Sequence, residues 1–339
     1  MRGVRWLALI LAIAGLGCGK KGPAQAAPAP ESGKYLPADP TGYVELDVKA
    51  LLGSSLIQPL REKMLENVPP ACRPVVDGAE RVALAFYGLP DGMLDGLLGE
   101  GPGEDARGRG DGEAQAEEPA APVPDLAVLI KGPPAAALRA CLEGLAKEGD
   151  QPIREEERTG QKVLIGGRGG QFALVAPTDT VHVLCTMPRL DAVLATIAGG
   201  PSIEGSELLK SLGALPAGAI VGALAVPDSV GALMTQGLAM FAGDKPIPVP
   251  RSVAMSVGLG DSLTIAGSVT LSDEAGAQGL LEIANGLIGA AKATMALAGA
   301  DNPEVAPYKR MLDSVSLSRS GATLSGRVTI AGDLLKALL

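Results

Sequence analysis

Few side chains in this sequence could do acid–base or nucleophilic chemistry. His182 is the only histidine, and it stands between Val181 and Val183 in a stretch that alternates like a strand. A lone histidine in that setting predicts a structural residue on the solvated or half-buried face of a strand. The motifs of zinc proteases, of nucleophile-elbow hydrolases and of Walker-type loops do not occur in the sequence. We therefore expect no enzyme, no metal and no cofactor.

Carboxylates near the first strand are the next candidates. Asp39, Glu45 and Asp47 cluster there, with Glu45 and Asp47 on one face of a segment of period two. Two carboxylates can hydrolyse a glycosidic bond when they converge on it. Solvated edge residues and helix caps account for this group more simply, and we predict those roles for it.

A second acidic group lies in the segment from Gly99 to Pro124, which is rich in Gly, Ala and Pro and has no apolar periodicity. Asp105, Asp111 and Glu113 could offer oxygen atoms to calcium, but their spacing differs from the alternate positions of a calcium loop. A mobile, solvated insertion is the better interpretation.

The glycines Gly166, Gly167, Gly169 and Gly170 lie between two apolar runs and do not open a helix. This arrangement predicts a hairpin turn and not a phosphate cradle.

The four cysteines form no C-x-x-C pair, so zinc and dithiol chemistry are not expected. Cys141 and Cys185 stand on apolar stripes and are predicted to be small core residues. Cys72 follows Pro69 and Pro70 in a predicted loop and is expected to be the more accessible thiol. In an oxidising compartment two of these three could pair, and the sequence leaves open which two.

The fourth cysteine, Cys18, closes the amino-terminal segment. Arg2 and Arg5 precede an apolar run from Leu7 to Leu16 that is too short to span a bilayer. With Gly17 directly before Cys18, the chain resembles bacterial lipoproteins. The resemblance implies cleavage between Gly17 and Cys18, acylation of Cys18, and attachment to the cell envelope. Since Gly19 and not Asp follows the cysteine, it favours the outer membrane of a Gram-negative cell. The alternative is plain secretion after cleavage near residues 24–26.

The remaining chain predicts an α+β protein built from antiparallel hairpins packed with helices. Residues 1–17 are the predicted signal peptide, and residues 18–34 the lipidated cysteine with a flexible Ala/Pro/Gly linker. Residues 35–199, including the loop 99–124, and residues 200–339 then form two similar halves. In each half the predicted order is strand, helix, two strands, helix, two strands, helix, which suggests an internal duplication. The apolar stretch near residues 280–297 is predicted to be a core helix.

Composition narrows the function classes. The chain has a formal net charge of −9 and only 2% aromatic residues. Nucleic-acid binding needs a basic surface, so we do not expect it. The sequence predicts a membrane-anchored envelope lipoprotein that acts as a non-enzymatic binding or structural module with an envelope protein as its partner. The alternative is a periplasmic carrier of a lipid or another apolar ligand.

Overall fold

The computed structural model describes residues 31–58, 61, 65–88, 125–149, 151–167, 169–228, 230–232, 234–236, 248–297 and 305–338. The predicted signal peptide, Gly17, Cys18 and the acidic loop 99–124 lie outside these residues. The linker was expected to reach residue 34, which is wrong for its last part. Glu31–Tyr35 forms a 3-10 helix, in which Ser32 is 4% exposed. The turn is ordered because its side chains pack into the domain.

Among the described residues, twelve strands form one sheet in which every pairing is antiparallel. The strands of the first half are β1 Gly42–Asp47, β2 Arg81–Phe86, β3 Leu126–Lys131, β4 Arg154–Arg158, β5 Gln161–Gly166, β6 Phe172–Thr178 and β7 Val181–Thr186. Those of the second half are β8 Ile220–Ala225, β9 Pro250–Leu259, β10 Ser262–Leu271, β11 Ser316–Ser320 and β12 Thr323–Ala331.

The helices connect and cover these strands. In chain order they are α1 Val48–Gly53, α2 Arg73–Gly78, α3 Ala135–Glu148, α4 Leu190–Ile197, α5 Glu207–Gly213, α6 Glu274–Leu297, α7 Ala306–Ser314 and α8 Gly332–Leu338. Together with the antiparallel sheet they confirm the predicted α+β class.

The sheet order is β11-β12-β10-β9-β8-β1-β2-β3-β7-β6-β5-β4. Read outward from the centre, β1-β2-β3-β7-β6 and β8-β9-β10-β12-β11 follow the same plan. In each half three successive strands lie side by side, a helix follows the third, and the last strand returns to pair with the third. The charged edge strand β4 was not predicted. Because β1 pairs with β8, the two halves share one sheet.

Small side chains line the inner face of this sheet. Ala83, Ala85 and Ala223 stand opposite Glu45 or Tyr43 on the neighbouring strands, and helices α4 and α5 contribute leucines to the same core. Short side chains let these helices approach the sheet closely. The outer face is covered at its two ends, by α3 over β5 to β7 and by α6 over β10 to β12.

Candidate functional site

A buried polar cluster, which we call the Glu45 clasp, consists of Ser32, Tyr43, Glu45 and Arg81. The Glu45 carboxylate accepts hydrogen bonds from Ser32 Oγ and from Tyr43 Oη, the latter at 2.5 Å. Arg81 Nη1 lies 3.5 Å from the other carboxylate oxygen. The clasp joins the turn Glu31–Tyr35 to the central strand β1.

Glu45 and Asp47 differ in role, although both were predicted to be solvated or capping. Glu45 is only 7% exposed, which corrects the prediction of a solvated edge residue. The physical reason is that Glu45 lies on the inner face of the central strand β1, where Ser32 and Tyr43 contact its carboxylate. Asp47 does cap a helix, since its Oδ1 accepts from Ala50 N at 2.8 Å. Asp39 is exposed and does not join them.

The chemistry of the clasp is that of a closed structural network. Burial, followed by the negative charge of Glu45, raises the pKa of Tyr43 far above its ordinary value. The phenol therefore stays protonated and donates to the carboxylate. The Ala/Pro/Gly-rich sequence around Ser32 does not identify this residue as a partner of Glu45, because the contact joins a turn to a strand that is not adjacent in the sequence.

A second polar cluster holds together the two ends of the segment that contains the acidic loop. Arg189 donates to both carboxylate oxygens of Asp125, and its guanidinium lies 4.0 Å from the centre of the Tyr87 ring. Tyr87 N donates to Asp125 O at 2.9 Å. Asp125 raises the pKa of Arg189, and burial raises that of Tyr87. The insertion thus leaves and re-enters the sheet at adjacent points.

An apolar cleft lies between α3 and the outer face of β5, β6 and β7, and we call it the α3 cleft. Its volume is about 240 Å³. The apolar lining includes Leu142, Leu145, Ile153, Leu164, Leu174 and Leu184, and Gln151 is the polar side chain among the lining residues. The α3 cleft is the candidate functional site of the described chain because it offers space and apolar surface to a ligand.

The geometry of α3 produces the cleft. Leu138 and Cys141 in its first half are buried, whereas Leu145 near its end is 43% exposed. The first half of the helix is therefore covered by its neighbours, among them the turn that contains Cys72, and the second half lines a gap above the leucines of the strands. The spacing of Leu138, Cys141, Leu142 and Leu145 indicates an amphipathic helix, but it does not indicate the gap. A signal existed in β6 and β7, where apolar residues on both faces indicate cover on both sides.

A disulfide between Cys72 and Cys141 links α3 to the 3-10 turn that ends at Cys72. The 3-10 turn Pro70–Cys72 lies so close that a Cβ on Gly144 would be 3.0 Å from the Ala71 side chain. The expectation that Cys72 is an accessible thiol is wrong, since this residue is buried. Cys185 is free and buried, as expected of a small core residue.

His182 and the glycine turn complete the predicted sites. The histidine is fully buried, which corrects the expected solvated or half-buried position, and its Nε2 donates to Pro133 O at 2.8 Å. It therefore holds β7 to the start of α3. The glycines do form the β5–β6 hairpin turn, where Gly167 has a φ of 85° and a Cβ on it would be 2.9 Å from the Phe172 ring.

Within the described ranges, no group of three or more His, Cys, Asp or Glu side chains could hold a metal ion. Asp105, Asp111 and Glu113, which were weighed for calcium, lie outside those ranges, as do Gly17 and Cys18.

Comparison with known proteins identifies distant structural similarity. Crystal forms I and III of TP0453 match with 8% and 9% sequence identity and TM-scores of 0.44 and 0.43. The alignments cover 91% and 90% of this chain and 96% and 95% of those chains. No family model and no curated protein matches. Similarity at this level carries no inference about function.

Proposed function

We propose that this protein is a lipid-anchored protein of the bacterial envelope whose folded domain is a non-catalytic module that binds an apolar group in the α3 cleft. The observation that carries the proposal is the cleft itself. Its walls include five leucines on four elements, together with the neutral amide of Gln151.

The size of the cleft limits the guest. Its volume of about 240 Å³ exceeds the roughly 150 Å³ of an engineered cavity that binds benzene, and falls below the usual lower bound of about 300 Å³ for drug-sized ligands. One ring or the end of one acyl chain fits. An apolar side chain of an envelope protein would fit equally well, and Leu145 at the mouth would add contact surface to it.

The anchor rests on the resemblance of the Gly17–Cys18 segment to lipoproteins. The Cys72–Cys141 disulfide supports export, because disulfides persist in oxidising compartments and are rare in the cytosol. The intact mass of the membrane-extracted protein, compared with Cys18→Ser, tests it. A wild-type chain that begins at Cys18 and carries diacylglyceryl mass supports the anchor, and an unlipidated chain that begins near residue 27 contradicts it.

Binding in the cleft is tested by filling it. Ala146 lines the α3 cleft, whereas Ala140 is exposed on the same helix, so Ala146→Phe and Ala140→Phe form a matched pair. Titration with a fluorescent fatty acid, on protein stripped of bound lipid, should give at least about a tenfold weaker affinity for Ala146→Phe, which is roughly 1.4 kcal/mol. Equal affinities for the two variants would contradict binding in this cleft.

A further inference from the structure

The helix α6 does not behave as the core helix that its sequence predicted. It has 24 residues and a hydropathy of 1.3 over its most apolar window, yet only 6% of that window is buried. Within the part of the chain that the structure describes, it is the one helix long and apolar enough to cross a membrane. α6 therefore has more apolar side chains than it buries against the sheet.

Two sides of α6 are accounted for. Ala277, Leu280 and Ala284 face the sheet, where Ala277 and Leu280 pack with Val269 and Leu271. A second side carries polar residues that pair among themselves or with neighbouring elements. These contacts are Gln278 with Glu282 at 3.2 Å, Lys292 with Asp313 at 3.2 Å, and Glu274 with Arg319 at 3.6 Å.

The third side, which we call the α6 flank, is uncharged and open. At 100° per residue it contains Ile283, Leu287, Ala290, Thr294 and Leu297, spaced by four, three, four and three residues. Leu287 is 47% and Leu297 89% exposed. A Cβ built on Gly279 or Gly286, on the same side, would meet no atom of the described residues within 4 Å. The one hydroxyl, of Thr294, is satisfied by Ala290 O at 2.9 Å.

The proposed anchor indicates what covers this flank. Thirteen residue steps separate Cys18 from Glu31, where the described fold begins, and they span at most about 45 Å. Lipid chains on Cys18 would hold the whole domain within that distance of a bilayer, so that contact of α6 with lipid becomes an intramolecular event. The whole helix is about 36 Å long, as its 24 residues require, and the flank residues from Ile283 to Leu297 cover about 21 Å of it. It could therefore lie along the surface.

The net charge of the protein favours contact of the α6 flank with a bilayer of neutral lipids. The protein carries a net charge of −9, which opposes attraction to anionic lipids. Contact must then come from burial of the apolar side chains, with Glu282 and Lys292 remaining on the polar side. Because the sheet already occupies one side of α6, the helix would lie in the interface and not cross the bilayer.

We propose that the α6 flank lies against the surface of the bilayer into which the Cys18 lipid inserts, an inference that rests on the proposed lipid anchor. Docking of the flank would fix the orientation of the domain relative to the membrane, which the lipid anchor alone does not do.

The experiment places one reporter on the flank and one on the polar side. Leu287→Cys and Gln278→Cys are made in the lipidated full-length protein and labelled with an environment-sensitive fluorophore. The native cysteines should not interfere, because Cys72 and Cys141 are bonded and Cys185 is buried. The proteins are reconstituted into phosphatidylcholine vesicles with or without brominated acyl chains. Flotation with the vesicles is measured on the same samples.

The Leu287 label should lose about half of its emission beside brominated chains, since an interfacial helix inserts ~5–10 Å, and the Gln278 label should lose little. Equal quenching at both positions in protein that floats would overturn docking and leave the anchor standing. Energy transfer between labelled copies without lipid quenching would assign the flank to a second copy and overturn docking as well. Protein that does not float would overturn the anchor and, with it, the docked orientation.

Discussion

Loss of the Cys72–Cys141 disulfide should destabilise the domain strongly, and the size of the effect follows from the loop that the bond closes. The two cysteines are 69 positions apart in the sequence. In the chain-entropy description, closing a loop of that length lowers the entropy of the unfolded chain by about 15 cal/mol/K, or about 4 kcal/mol at 25 °C. Cys72→Ser together with Cys141→Ser removes the bond without leaving one of its two cysteines unpaired.

The expected shift in Tm is about 6 °C, because unfolding roughly 300 residues carries an entropy near 0.6 kcal/mol/K. Thermal unfolding followed by circular dichroism measures it, with and without dithiothreitol. Reductant should lower the Tm of the wild-type protein to that of the double variant, and should leave the double variant unchanged. A double variant with the Tm of the oxidised wild type, or wild-type protein with three titratable thiols before reduction, would refute the reasoning.

Three further predictions concern the buried groups. Tyr43 should show no phenolate absorbance before the protein unfolds, since its pKa is raised by burial and then by Glu45. Because the pKa of Tyr43 is higher in the folded than in the unfolded state, its contribution to stability is complete below the unfolded-state pKa of about 10 and should fall as the pH rises above that value. A phenolate signal from Tyr43 in the folded protein would contradict the prediction. Cys185, whose pKa burial raises to about 12, should not react with a disulfide reagent at pH 8 until denaturant is added, and a fast native reaction would show it to be accessible. Ser32→Ala should cost about 1.5–3 kcal/mol of unfolding free energy, because it removes a hydrogen bond to a buried carboxylate. The exposed Ser318→Ala is the control, and equal urea midpoints for the two would contradict the clasp.

Much of the local structure follows from patterns in the sequence. The period of two in β1 to β3 and β5 to β7, the helical stripe of α3, the glycine hairpin between β5 and β6 and the cap at Asp47 all follow from neighbouring residues. These features depend on interactions within a few positions of the chain, and a pattern of that length contains the necessary information.

The candidate site was predictable only in part. The stripe through Leu142 and Leu145 identified one wall of the α3 cleft, and apolar residues on both faces of β6 and β7 indicated the other. The gap between the walls depends on how far the end of α3 stands from the sheet, and no spacing in the sequence encodes that distance.

Three outcomes required the tertiary structure. Glu45 is buried because it lies on the inner face of a central strand, where Ser32 and Tyr43 contact it. Cys72 is bonded because the turn before α2 packs on α3. The α6 flank is exposed because α6 covers the sheet with only one of its sides. The sequence by itself determined which residues share a face of each element. Long-range pairing decided what covers each face, because the partners come from segments tens of residues apart. Bringing such segments together costs chain entropy, and only the contacts of the assembled sheet offset that cost.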